Sequence, residues 1–254
     1  MPTAAGLYYF AHGEDLHDQP PVLLLHGAGG THLNWPPQIR RLSGQRVFSL
    51  DLPGHGKSEG VGRQDISEYS TAVYEFMKAL KLSNAVVVGF SMGSAIALLL
   101  ALKYQKRVRG LGLLGAGGKM RVADSTLELA SNPATFTSAI ETVVENSYSS
   151  GVDPHIKELA FQQMEETRQA VLYNDFLACD AFDVMERVSK VRVPTIIICG
   201  SADRMTPPNR AEYLHEQIAS SQLHILDGAG HMVMIERPDE VAGLLSEFLE
   251  RFSR

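Results

Sequence analysis

The sequence predicts an α/β protein: a parallel sheet with helices on both faces, interrupted once by a helical insertion. Three observations carry this. Short apolar runs alternate with helical patterns over 22–115, as βαβ units do. The alternation stops over 116–190, where apolar residues such as Phe136, Ile140 and Val144 recur at helical spacing, and it resumes at Val193. With 254 residues, 44% of them hydrophobic, the chain is long enough for one sizeable core.

Taken in order, the residues before Val22, including His12 and His17, read as a polar stretch without a clear element. Val22-Leu23-Leu24-Leu25 is the first strand, followed by a helix near 35–42 and a strand over 46–50. A helix over 67–82, a strand over 85–88, a helix over 92–104 and a strand over 110–115 complete the first half. The insertion leaves one strand and returns to another of the same sheet, so it reads as a cap over that edge. The predicted organisation is a core of 1–115 and 191–254 with a helical cap, or lid, of 116–190. Pro194 to Gly200 is the strongest strand of the second half, Gln222 to Leu226 the last, and Arg237-Pro238-Asp239-Glu240 opens the final helix.

Charge and composition narrow the function. The net charge is −6, and no stretch concentrates Lys and Arg beyond Arg40-Arg41 and Lys106-Arg107-Val108-Arg109. These argue against a nucleic-acid or anionic-membrane surface. The N-terminus has neither a basic segment nor an apolar one, so no signal peptide is visible, and the longest apolar run, Ala95 to Leu102, is too short to span a bilayer. Cys179 and Cys199 stand in separate contexts without metal-ligand spacing, which fits a reduced, cytoplasmic setting.

The most informative motif is Gly89-Phe90-Ser91-Met92-Gly93, between the apolar run Ala85-Val86-Val87-Val88 and the helical run from Ser94. In that context Gly-x-Ser-x-Gly is a turn sharp enough to strain the serine and expose its hydroxyl, with glycines where a Cβ would collide with the neighbouring strand or helix. A serine hydroxyl is a weak nucleophile at neutral pH and needs a histidine base, an acid and oxyanion donors. Of nine histidines, His231 lies in a loop, Asp227-Gly228-Ala229-Gly230-His231, at the carboxyl end of the last strand, which makes it the candidate base. Asp203, in Ser201-Ala202-Asp203-Arg204-Met205-Thr206-Pro207, leaves the preceding strand at the same edge. The order Ser91, Asp203, His231 and the lack of a carboxylate close after the 110–115 strand make Asp203 the candidate acid, with Asp227 as its nearest rival.

These motifs make the chain resemble the α/β-hydrolases, of the small single-domain esterase and lipase-like type, over nearly its whole length. Further matching segments are His26-Gly27-Ala28-Gly29-Gly30 after the first strand, Asp51-Leu52-Pro53-Gly54-His55-Gly56-Lys57-Ser58, and Gly230-His231 followed by Glu236-Arg237-Pro238. The resemblance implies the α/β-hydrolase fold, with a mostly parallel sheet, and places the oxyanion-hole amides at Ala28, with Gly29 as the alternative, and at Met92. It also implies that the Asp51 to Ser58 segment braces the active-site loops without reacting, so that His55 is structural.

The expected reaction is acyl transfer on a small-molecule carboxylic ester, without metal or organic cofactor. Trp35, Phe90, Met205 and Met232 are candidate pocket residues, and the absence of charge beside Ser91 points to a small to medium apolar acyl or alcohol group. Three alternatives use the same triad: cleavage of C–C bonds in meta-cleavage products, enol-lactone hydrolysis and perhydrolysis. A non-catalytic ligand receptor on the same fold is the alternative of another class. The oligomeric state is not legible.

Overall fold

The computed structural model describes residues 2–14 and 19–253, so His17 lies outside the described residues. The sheet is organised around its interior strands. β1 (Thr3–Ala4), β2 (Leu7–His12), β3 (Val22–Leu25), β4 (Val47–Leu50), β5 (Ala85–Phe90), β6 (Val108–Leu114), β7 (Thr195–Gly200) and β8 (Ser221–Leu226) lie in the order β1-β2-β4-β3-β5-β6-β7-β8. β1 with β2 and β2 with β4 are antiparallel; every other pairing is parallel. The result is an eight-stranded, mostly parallel α/β sheet.

Alternate residues of the interior strands feed the two faces. Leu23, Leu25 and Val87 join one apolar cluster with α2 (Ile66–Ala79) and α3 (Met92–Lys103), while Val22, Leu24, Val86 and Val88 join another with α1 (Pro37–Arg40) and with the last helix. Full burial of each such side chain is worth about 1.5–3 kcal/mol, so strands covered on both faces read as unbroken apolar runs.

Two local readings are corrected. The N-terminal stretch forms β1 and β2, and His12 ends a strand: Tyr9 packs edge-on against Phe48 and Phe76, with ring centroids 5.6 and 5.3 Å apart, which holds β2 antiparallel on the sheet. The helix near 35–42 shrinks to the single turn of α1, because Pro36 precedes Pro37 and a residue before proline is driven into extended backbone.

The 116–190 segment carries α4 (Asp124–Ser131), α5 (Phe136–Ser147), α6 (Pro154–Glu165) and α7 (Gln169–Ala181). Its two ends run side by side, with Met120 N–H donating to Phe182 C=O at 3.2 Å and Val184 N–H to Gly118 C=O at 2.8 Å. After it come α8 (Pro208–Gln217), α9 (Val233–Glu236) and α10 (Pro238–Glu250). No helix among the described residues is long and apolar enough to cross a membrane.

The topology selects one place for chemistry. β3 is followed by β4 on one side and β5 by β6 on the other, so the connections diverge between β3 and β5. Open α/β sheets bind ligands at the carboxyl edge beside such a switch point. The loops leaving β3, β5, β7 and β8 there are the ones that carry residues 26–30, Ser91, Asp203 and His231.

Candidate active site

Ser91 links β5 to α3 with φ +51° and ψ −117°, a conformation that costs a non-glycine residue on the order of 1–3 kcal/mol. The surrounding bonds hold it there. Its N–H extends the sheet ladder to Leu114 C=O at 2.9 Å, and its own C=O accepts from the Ser94 amide and hydroxyl at 2.8 and 2.6 Å. The flanking glycines answer to close approach: a Cβ on Gly89 would lie 2.1 Å from Gly93 O, and one on Gly93 would lie 2.1 Å from Leu25 O of β3.

Asp203 follows β7 and has a fully buried side chain. One oxygen accepts the amides of Met205 and Thr206, both at 2.8 Å. The other accepts the Thr206 hydroxyl and faces His231 Nδ1, each at 2.9 Å. Burial pushes the Asp203 carboxyl up, but the facing His231 and the Thr206 bonds outweigh it and hold the group below the usual carboxylate range. A carboxylate cannot donate, so Nδ1 carries the imidazole proton and Nε2 is left with its lone pair. The ring packs on Phe90 with centroids 4.8 Å apart, beside Ser91. Asp227, the rival acid, is exposed and accepts from the Ser201 hydroxyl at 3.2 Å.

The His26–Gly30 loop lies against the serine: a Cβ on Gly27 would sit 3.2 Å from Ser91 Cβ. Of the two candidate donors there, the Gly29 amide is committed to Asp175 Oδ2 at 2.9 Å, which leaves Ala28 as the oxyanion candidate from this loop. Met92 is the first residue of α3, where an N–H has no intrahelical acceptor. His55 is not at this site. Its ring nitrogens bond Pro53 C=O at 3.1 Å and Asp175 at 2.7 Å in the interior.

Ser91 and His231 open on one cavity of about 640 Å³, lined by the core loops and by α5, α6 and α7 of the insertion. Phe90, Met205 and Met232 line it; Trp35 does not, being fully buried in the core beside β3 and β4. The wall is less apolar than the residues beside Ser91 suggest. Arg121, Arg204 and Arg210 line it, and among the described residues no acidic one does. Sequence reasoning also assigned no role to Thr206, which bridges the acid and base, or to Glu236, whose Oε1 accepts from the amides of Gly230 and Ser149 at 3.0 and 3.2 Å and so fixes the approach to His231. Thr206 stood in the Asp203 loop as a visible signal; nothing local marked Asp175.

A sequence model described as the alpha/beta hydrolase family matches residues 22–244. Among curated proteins, 3-oxoadipate enol-lactonase 1 of Acinetobacter baylyi is 25% identical over 239 residues, covering 91% of this chain and 89% of its own. A pimeloyl-[acyl-carrier protein] methyl ester esterase of Neisseria meningitidis is 27% identical over 249 residues, covering 90% of this chain and 93% of its own. Among solved structures, an enol-lactonase from Burkholderia xenovorans superposes with a TM-score of 0.89 at 24% identity, over 96% of each chain, a likeness of fold.

Proposed function

The chain belongs to the alpha/beta hydrolase family, and on that premise we propose that it is a serine hydrolase that cleaves carboxylic esters through an acyl-enzyme on Ser91. The observation that carries this reading is the strained Ser91 sharing a cavity with His231, whose other ring nitrogen is closed off by buried Asp203. Ser91 Oγ attacks the ester carbonyl as His231 Nε2 takes its proton; Asp203 holds the tautomer and stabilises the imidazolium. The amides of Ala28 and Met92 receive the developing oxyanion, the alcohol leaves with the proton from His231, and water activated by the same base releases the acid. Residues 116–190 act as a cap, supplying the far wall of the cavity. The two buried thiols, Cys179 and Cys199, are unpaired, which supports a reducing, cytoplasmic setting.

A second reading is favoured by the three arginines lining the cavity: a substrate that bears a carboxylate, either an ester or a lactone, the latter being the bond named for the Acinetobacter relative. One experiment separates these readings. Fluorophosphonate should label Ser91 alone, and kcat/KM should be measured on p-nitrophenyl esters of rising acyl length, on carboxylate-bearing esters and on an enol-lactone. Loss of labelling in Ser91→Ala with turnover intact would overturn the mechanism; preference for neutral over anionic substrates would retire the second reading.

A further inference from the structure

Apart from the candidate triad, the most deeply built cluster of ionisable groups surrounds Asp175 on α7. The residue is fully buried, and its carboxylate accepts three hydrogen bonds: Oδ2 accepts the Gly29 amide at 2.9 Å and His55 Nε2 at 2.7 Å, and Oδ1 accepts the Tyr69 hydroxyl. His55 Nδ1 faces Pro53 C=O. Both its nitrogens therefore face acceptors, so the ring is a buried imidazolium paired with Asp175.

Gly29 sits one residue beyond the oxyanion donor, and the loop around Ala28 is fixed at each successive peptide. His26 accepts the Leu52 amide at Nε2, at 3.0 Å, so its proton is on Nδ1 and is donated to Gly27 C=O at 2.7 Å. In a trans peptide the carbonyl of Gly27 and the N–H of Ala28 point in opposite directions, so holding the first aims the second. Asp175 holds the next peptide through the Gly29 amide, and the Thr167 hydroxyl holds the one after through Gly29 C=O at 2.9 Å. Gly29 has φ +64°, and a Cβ there would meet Leu172 of α7 at 2.8 Å, so the helix is seated directly on the loop.

From this we infer that Asp175 is a positioning residue for the oxyanion hole, and that the helical insertion, besides walling the cavity, holds the Ala28 amide in its catalytic orientation. The inference rests on Ala28 being the oxyanion donor of the acyl-enzyme mechanism. A loop aimed by charge-assisted bonds stabilises the tetrahedral oxyanion and leaves the bound ester nearly untouched, because the ground-state carbonyl makes little use of the hole.

The test uses the whole chain and the variant Asp175→Asn. An amide has one acceptor oxygen, so it cannot receive Gly29, His55 and Tyr69 together. Two probes report separately: a trifluoromethyl ketone, to which Ser91 Oγ adds with its proton passing to His231 and the carbonyl electron pair becoming an oxyanion, and the parent methyl ketone, which binds without adding. With rates normalised to fluorophosphonate-titrated sites, kcat and trifluoromethyl ketone affinity should fall together by about 100-fold. KM and methyl ketone affinity should stay within about threefold. Wild-type kcat and trifluoromethyl ketone affinity in the folded variant overturn the inference, as does an equal loss in all four quantities, which would mean a collapsed cavity. Should Asp175→Asn not fold, Thr167→Val decides: it should show the same split at about fivefold, and its absence is fatal. Failure of the wild type to label at Ser91 would instead strike the acyl-enzyme mechanism.

Discussion

Among the described residues the interior holds three histidine–aspartate pairs, His32–Asp51 at 2.8 Å, His231–Asp203 at 2.9 Å and His55–Asp175 at 2.7 Å, and the last two, both with carboxylates removed from solvent, make the sharper contrast. Their chemistry differs at the second ring nitrogen. In His55 it is tied to Pro53 C=O, so the ring is a fixed cation; in His231, Nε2 has no partner among the described residues and the ring lines the cavity beside Ser91. A buried His–Asp contact is therefore no mark of a catalytic base. What sets His231 apart is a nitrogen left over in the cavity it shares with Ser91, the candidate nucleophile.

The largest effect that can break this contrast is a pair of matched substitutions. His231→Gln should lower kcat on a p-nitrophenyl ester by on the order of a millionfold, as loss of the base from a triad can, while His55→Gln should keep most of that activity per folded, titratable site. Stability should rank the other way. His55→Gln leaves Asp175 buried without its cation, which costs about 3–5 kcal/mol by urea denaturation, whereas His231→Gln should lose far less. Equal rankings in both assays would mean that the two pairs share one role.

Next in size is the acid. Asp203→Asn should fold yet lose about 10⁴-fold in kcat, because an amide no longer selects the productive tautomer, while Asp227→Asn should stay close to wild type. The reverse order would move the acid to the exposed residue.

How much of this was visible in the chain depends on whether the cause is local. Ser91 was legible because its strain, its glycines and its strand–helix context all lie within a few residues, and His231 because glycines mark its loop. Chain order does not separate Asp203 from Asp227, since both lie between Ser91 and His231, and the burial and Thr206 bonds that do separate them exist only in the fold. The Asp51 to Ser58 motif reads as bracing, and it does place His55 against Asp175, but that partner was invisible. Asp175 lies 146 residues from Gly29, and Thr167 lies 138 from it, so no periodicity or spacing could announce either bond. β2 was missed for a similar reason, since its pairing with β4 is antiparallel and falls outside the βα alternation.

The two pairs should also respond to pH with opposite signs. Burial pushes the His55 pKa down, but Asp175 outweighs it and raises it above the ordinary histidine value. Its stabilisation is thus fully present below about pH 6.5 and is lost as pH rises through the raised value. Asp203 is depressed, so its contribution is present above about pH 4 and is lost as pH falls through the folded value. The stability gap between wild type and His55→Gln should accordingly narrow on the alkaline side, and that between wild type and Asp203→Asn on the acid side. A gap for His55→Gln that widens with pH would show the ring to be neutral in the fold.

The smallest effect belongs to a hydroxyl that reaches both members of its pair, whereas Tyr69 donates to Asp175 alone. The Thr206 hydroxyl lies between acid and base, 2.9 Å from Asp203 Oδ2 and 3.1 Å from His231 Nδ1. Its proton goes to the carboxylate, because Nδ1 already carries one, so it supports Asp203 and accepts at most a share of the imidazole N–H. Thr206→Val keeps the shape and the backbone amide that also bonds Asp203, and removes a single hydrogen bond worth about 1 kcal/mol. Asp203 retains the amides of Met205 and Thr206 and its contact to His231, so the carboxylate stays ionised and the tautomer is kept. The expected result is a loss in kcat of about fivefold, with KM unchanged. A loss approaching that of Asp203→Asn would make the hydroxyl, and not the direct carboxylate contact, the group that holds His231 in place.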